Sequence, residues 1–153
     1  MALQMKVKSL TFDSLSNGFT VFLSDLENKH ALPIHIGPFE ANAIAVRLKK
    51  VMVNRPMTHD LLRNILKVLN SEIVKIEVTD LRDNTYYALI YIKADGKELT
   101  IDSRPSDAIA LALGAGAPIY VREEVLSKAK SLSSDELDEW LKSLKSKDFK
   151  YQA

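Results

Sequence analysis

The sequence predicts an α+β domain on three observations: strand patterns come in threes, each trio runs into a helix that opens with a proline, and the whole pattern occurs twice. "QMKVKSLTFD" at 4–13 alternates apolar and polar residues from Met5 to Leu10, as a strand with one face on a core does. Asn17-Gly18 reads as a turn, "FTVFL" as a second strand and "ALPIHI" as a third. Pro38 marks a helix start, and Ala41, Ile44, Ala45, Leu48 and Val51 keep helical spacing to about Met52. A break at "NRPM" and a cap at Thr58 precede a second helix with a broad apolar face of Leu61, Leu62, Ile65, Leu66 and Leu69.

The pattern then restarts. "EIVKIEVTD" (72–80), "YYALIYI" (86–92) and "KELTID" (97–102) read as strands separated by "LRDN" and "KADG", and the last enters a helix at 105–113. Setting each residue beside the one sixty-seven positions on aligns Val7-Lys8 with Val74-Lys75, Asp13 with Asp80, Asn17 with Asn84, and Pro38 with Pro105. About ten identities over about forty positions predict an internal duplication of two β-β-β-α units, at about 4–52 and 72–113, with the extra helix after the first. "PIYV" is a short strand followed by a helix from about Arg122. Ser133 with Glu136 makes a capping box for a charged last helix to near Lys145, with Leu137, Trp140, Leu141 and Leu144 as a docking stripe. The expected division is a domain over 1–126 and a C-terminal helical extension over 127–153.

Composition excludes much chemistry. No cysteine is present, which removes disulfides, thiolate metal sites and cysteine nucleophiles. With 21 basic and 20 acidic residues the net charge of +1 gives no global attraction to phosphate polymers, so nucleic-acid binding would need a local patch. No apolar run reaches the roughly 18 residues of a membrane span and the start lacks the order of a secretion signal, so a cytoplasmic protein without a membrane partner is expected. His30, His35 and His59 lack zinc spacing, no glycine-rich phosphate loop or serine elbow appears, and no organic cofactor is expected.

Charge gathers at one strand-to-helix junction. "IDSRPSDAIALAL" at 101–113 carries Asp102, Arg104 and Asp107 where its earlier counterpart "IHIGPFEANAIAV" carries His35, Gly37 and Glu40. Glu40 and Asp107 at the third helical position also suit a plain helix start, and Asp102 with Arg104 a local ion pair. "VTDLRDN" adds Asp80, Arg82 and Asp83, where Asp83 and Asn84 equally suit a turn. "PMTHDLL" places His59 and Asp60 in the first turn of a helix. The functional alternative gathers Asp80, Asp83, Asp102 and Asp107 around Mg²⁺ or Mn²⁺, with His59 or Asp60 on the rim and Arg82 or Arg104 gripping phosphate. The near-continuous apolar run "YYALIYI" predicts a doubly covered strand or a subunit interface rather than a base-stacking surface.

Together "LPIHIGPFEANAIAV", "RPMTHDLLRNIL", "VTDLRDNTYYALI" and "IDSRPSDAIALALGAGAPIYV" resemble the bifunctional nuclease domain family over about residues 4–126. The resemblance implies an α+β fold of duplicated strand-helix units, a homo-oligomer with a dimer as first expectation, and nuclease activity towards RNA and DNA. The family's charged motif positions correspond here to Glu40, His59, Asp60, Asp80, Arg82, Asp83, Asp102, Arg104 and Asp107. No mechanism comes with them, so roles follow from chemistry. His59, Asp60, Arg82 and Arg104 are the catalytic candidates, with His59 as acid or base and the arginines as phosphate clamps, and Asp80, Asp83, Asp102 and Asp107 are the metal ligands. The expected function is phosphodiester cleavage in RNA or DNA assisted by a divalent metal. The rival is a non-catalytic oligomeric module that binds a small anion, nucleic acid or protein through the same charged rim.

Overall fold

Two antiparallel meanders make up most of one mixed sheet. The first is β1 (Ala2–Asp13), β2 (Gly18–Asp25) and β3 (His30–Ile36), followed by helix α1 (Pro38–Leu48). After α2 (Thr58–Val68) comes the second, β4 (Ser71–Arg82), β5 (Thr85–Ala94) and β6 (Lys97–Ser103), followed by α3 (Pro105–Ala115). This computed structural model describes residues 1–14, 17–129, 132–143 and 150–152. A four-residue strand, β7 (Ile119–Arg122), joins the meanders by pairing antiparallel with β1 and parallel with β4. The chain continues through α4 (Glu123–Ala129), β8 (Leu132–Ser133), α5 (Ser134–Ser143) and β9 (Lys150–Gln152). The sheet runs β6-β5-β4-β7-β1-β2-β3-β8, with β9 on β1.

Local sequence explains the strands. Pairing in β1 slips between Val7 and Ser9, and this bulge lets Met5, Val7 and Leu10 all turn into the core although strict alternation would send Leu10 outward. The two units keep the same element order, but their hairpins differ. Asp13 pairs with Gly18 across a four-residue connection, whereas Arg82 pairs with Thr85 across Asp83-Asn84 alone. Likewise Asp25 leads to His30, while Ala94 pairs with Lys97 across Asp95-Gly96. Both short turns place two residues at positive φ, 49° and 60° in one and 51° and 74° in the other, as two-residue hairpins with right-handed twist require. Strand β4 also carries a bulge between Val78 and Asp80 that β1 lacks, so Ile76 and Val78 reach the core where their counterparts in β1 are Ser9 and Thr11.

Helices α1, α2 and α3 lie on one face, with α3 packed against α1, α2, β4 and β5. The alanine-spaced α3 is buried from Ala108 through Ala112, and Ala41 and Ile44 of α1 join the same core. On the opposite face, Phe22 and Ala31 receive Leu137, Leu141 and Trp140 of α5, with the Phe22 and Trp140 rings 5.0 Å apart. The expected capping box is formed. Ser133 N–H donates to Glu136 at 2.8 Å, and Glu136 N–H donates to the Ser133 hydroxyl at 3.2 Å. Leu144 and Lys145 lie outside the described residues.

Three expectations need correction. Helix α1 stops at Leu48 rather than near Met52, because the chain turns left-handed at Lys50 (φ 53°). The N-cap of α2 is Met57, with Thr58 as the first helical residue, and Asp60 closes the turn by accepting the Met57 N–H at 3.0 Å. Strand β5 is not covered alike on both sides: Ala88, Ile90 and Ile92 are buried beneath the helices, while Tyr87, Leu89 and Tyr91 are half-buried on the other face. No helix among the described residues is long and apolar enough to cross a membrane.

Candidate functional site

Pro38 and Pro105 set the geometry. Each takes the first helical position, which puts Glu40 in the first turn of α1 and Asp107 in the first turn of α3. Because these helices pack side by side, the two acids come within reach of one arginine. Arg104, the residue before α3, donates through Nη2 to Glu40 Oε1 at 3.0 Å and to Asp107 Oδ2 at 2.8 Å, and through Nε to Asp107 Oδ2 at 3.0 Å. From the first turn of α2, His59 Nε2 meets the other oxygen of Asp107 at 2.9 Å. Four polar side chains at the starts of three helices thus form one cluster. The acids sit where they would suit helix starts, yet neither α1 nor α3 has a side-chain cap bond, and the bonds they make go to Arg104 and His59.

The cluster is well held. Gly37 has no side chain, and a Cβ there would collide with the Glu40 carboxylate, so the glycine keeps the place in which Glu40 reaches Arg104. The Asp107 carboxylate, with Glu40 adding to it, holds the Arg104 guanidinium above its already high range. An ionised carboxylate has only acceptor oxygens, so against it His59 donates its Nε2–H, which in the neutral ring leaves the lone pair on Nδ1. His59, Asp107 and Glu40 are mostly enclosed, whereas the Arg104 side chain is 66% exposed.

These groups form the polar end of a groove of about 800 Å³. Its other walls are apolar, from Phe39 of α1, Leu62 and Ile65 of α2 and Ile101 of β6. Asp102 borders the same groove without joining the bonds just described.

The remaining charged candidates lie elsewhere. Asp60, next to His59 in sequence, faces Arg63 and Arg47 and fastens α2 to the end of α1. Burial acts to raise its carboxyl, but the Met57 amide and the two arginines outweigh that and hold it below the usual range. Asp80 accepts from Lys128 Nζ at 2.9 Å and Arg82 Nε at 3.1 Å, and the Lys128 bond leads in holding its carboxyl low. Arg82 also lies over the Tyr87 ring, 4.0 Å from its centre. Asp83 shapes the left-handed β4–β5 turn. The four carboxylates are therefore split, with Asp80 and Asp83 on that hairpin and Asp102 and Asp107 at the groove. Among the described residues no three histidine, aspartate or glutamate side chains stand together as a metal site. The donor set fits a histidine–carboxylate pair beside an arginine, not a carboxylate cage.

Glu40 carries more than its sequence context suggests, since by itself it reads as a helix-start acid. The signal was its correspondence with Asp107: matching residues of two abutting helices meet, and Arg104 bridges them.

An α+β domain with a histidine–carboxylate–arginine cluster in an open groove is the class that fold and site define. The model of the bifunctional nuclease domain matches residues 21–134, and the chain belongs to that family. An uncharacterised protein of Mycobacterium tuberculosis is 36% identical over 137 residues, covering 89% of this chain and 81% of the relative. A more distant relative, bifunctional nuclease 1 of Oryza sativa subsp. indica, is 23% identical over 97 residues, covering 61% of this chain and 29% of the rice protein.

Proposed function

We propose that the groove is the reaction site of a nuclease that cleaves phosphodiester bonds in RNA or DNA. The observation that carries this reading is the 2.9 Å contact between His59 and Asp107 beside an exposed arginine. Asp107 is a positioning residue: it fixes the histidine's tautomer and stabilises the imidazolium that forms when Nδ1 accepts a proton. That proton comes from the attacking hydroxyl, either water or, in RNA, the neighbouring 2′-hydroxyl. As the new P–O bond forms, the bond to the departing oxygen breaks, and that oxygen takes up a proton. Arg104 already donates to two carboxylates from Nε and Nη2, and its exposed guanidinium is the group that meets a phosphate oxygen. Glu40 keeps that guanidinium at the groove when the substrate draws it from Asp107. The family membership and the name of the rice relative agree with the activity.

End-labelled single-stranded RNA and DNA test this, incubated with purified protein in Mg²⁺, in Mn²⁺ and in chelator. His59→Ala and Asp107→Asn are expected to lower cleavage by about 10²–10⁴-fold, the usual worth of a positioned acid or base. Asp80→Asn, whose carboxylate belongs to the β4–β5 hairpin, is expected to cleave at the parent rate. Equal cleavage by all three variants would remove the groove from the chemistry. No cleavage by the parent under any condition would leave the charged rim as a binding surface without catalysis.

A further inference from the structure

One wall of the groove is an aromatic ring that the fold does not use. Phe39, at the second position of α1, is 86% exposed and joins neither apolar cluster, while every other aromatic side chain described is at least partly enclosed. A helix that opens with a proline does not call for it, because the counterpart sixty-seven positions on is Ser106, which is buried. A single exposed apolar side chain is ordinary on a protein surface, so its position decides what it means. Phe39 directly precedes Glu40, the acid bonded to Arg104 at 3.0 Å, and both residues line the groove. The remaining apolar wall is Leu62, Ile65 and Ile101, all half-exposed. Helix α2 leaves its two residues there because its polar side chains turn inward, with His59 on Asp107, Asp60 beside Arg47, and Arg63 donating to the Gly114 carbonyl at 3.1 Å. The groove thus has an exposed guanidinium at one end and a ring with aliphatic surface along the rest.

We propose that Phe39 is a base-stacking residue: the nucleobase next to the phosphate at Arg104 lies on its ring, and this selects single-stranded nucleic acid. The inference rests on the groove being the reaction site. A nucleotide presents a charged phosphate and a flat π face, and the groove offers a guanidinium and a flat ring on either side of Glu40. An inorganic anion would leave the apolar wall without a use, and a purely apolar ligand would leave Arg104 without one. In a duplex both faces of a base are covered by its neighbours, so a base reaches the ring only from an unpaired strand. Every base has a π face, and the wall beside Phe39 is aliphatic, so little sequence preference is expected. Single strands of RNA and of DNA meet this chemistry alike.

Fluorescence anisotropy with a short end-labelled DNA strand tests this, in the full chain carrying His59→Ala so that the strand stays intact during the titration. Adding Phe39→Ala is expected to weaken binding about tenfold, with an unchanged far-ultraviolet circular dichroism spectrum because the side chain is exposed. Phe39→Trp is expected to bind as Phe39 does, and Phe39→Leu, apolar without a π face, as poorly as Phe39→Ala. A strand of abasic sites keeps the phosphates and lacks the bases, so it is expected to bind weakly, and equally with and without Phe39→Ala. A blunt duplex is expected to bind no better than the abasic strand. No binding of the single strand, unchanged affinity in Phe39→Ala, full retention by Phe39→Leu, or the same loss on the abasic strand overturns base stacking. A duplex held as tightly as the single strand overturns the selection of single strands. Binding does not depend on turnover, so a strand held through Phe39 by a parent that never cleaves sinks the nuclease reading and leaves the stacking contact standing. A parent that cleaves, with Phe39→Ala matching its rate and affinity, does the reverse.

Discussion

Asp107 and Asp60 show how one residue type takes different work from its neighbours. Asp107 gives one oxygen to His59 and the other to Arg104, so its charge is committed to two groups that face the groove. Asp60 is enclosed with Arg47, Arg63 and the Met57 amide, and its depressed carboxyl makes it a stability element. A carboxyl whose folded value lies below its unfolded value near 3.9 stabilises above that value and loses the contribution as pH falls through the folded one. Asp60→Asn is therefore expected to cost about 2 kcal/mol at pH 7, and the gap from the parent is expected to close below about pH 4, as read by urea denaturation across pH. The cluster residues were legible because charge at a strand-to-helix junction exceeds what starting a helix needs. Their partners were not, since Asp80 and Asp83 look no different from Asp107 until the chain folds. A two-residue turn then takes Asp83, and α4 brings Lys128 to Asp80.

At the scale of elements, periodicity told that α2 has an apolar face but not which way it points. The inward side is fixed by His59, Asp60 and Arg63, whose polar partners sit on α1 and α3. Strand β5 misled for a related reason. Tyrosines count as apolar in a run, yet Tyr87 and Tyr91 lie half-buried on the face opposite Ile90, with Lys75 over the Tyr91 ring at 4.5 Å. Helix α5 was readable in outline from its capping box and its stripe of Leu137, Trp140 and Leu141. Its docking makes a clear prediction: Leu137, 2% exposed against Phe22, is expected to cost about 2–4 kcal/mol on Leu137→Ala in chemical denaturation. An unchanged midpoint would mean that α5 does not share the fold's stability.

The whole molecule depends on β7. Four residues pair with β1 on one side and β4 on the other, and they turn two meanders into a single sheet with α1 and α3 together on one face. Such a short strand has too little pattern to reveal its neighbours, so the element order was visible in the chain while the sheet order was not. The arrangement matters for function because it sets the two proline-led helices side by side. Glu40 and Asp107, far apart in the chain, then share Arg104, and α2 delivers His59 to the same point. The site is thus a property of the joined units.

That claim is tested most directly by single-turnover cleavage of labelled single-stranded RNA, comparing His59→Ala, Asp107→Asn and the double variant, each shown to be folded. If His59 acts through the geometry that Asp107 imposes, the double variant is expected to lose no more than the worse single one. Losses that multiply in the double variant, or a parent-like rate in His59→Ala, would contradict a histidine–carboxylate pair acting as one unit.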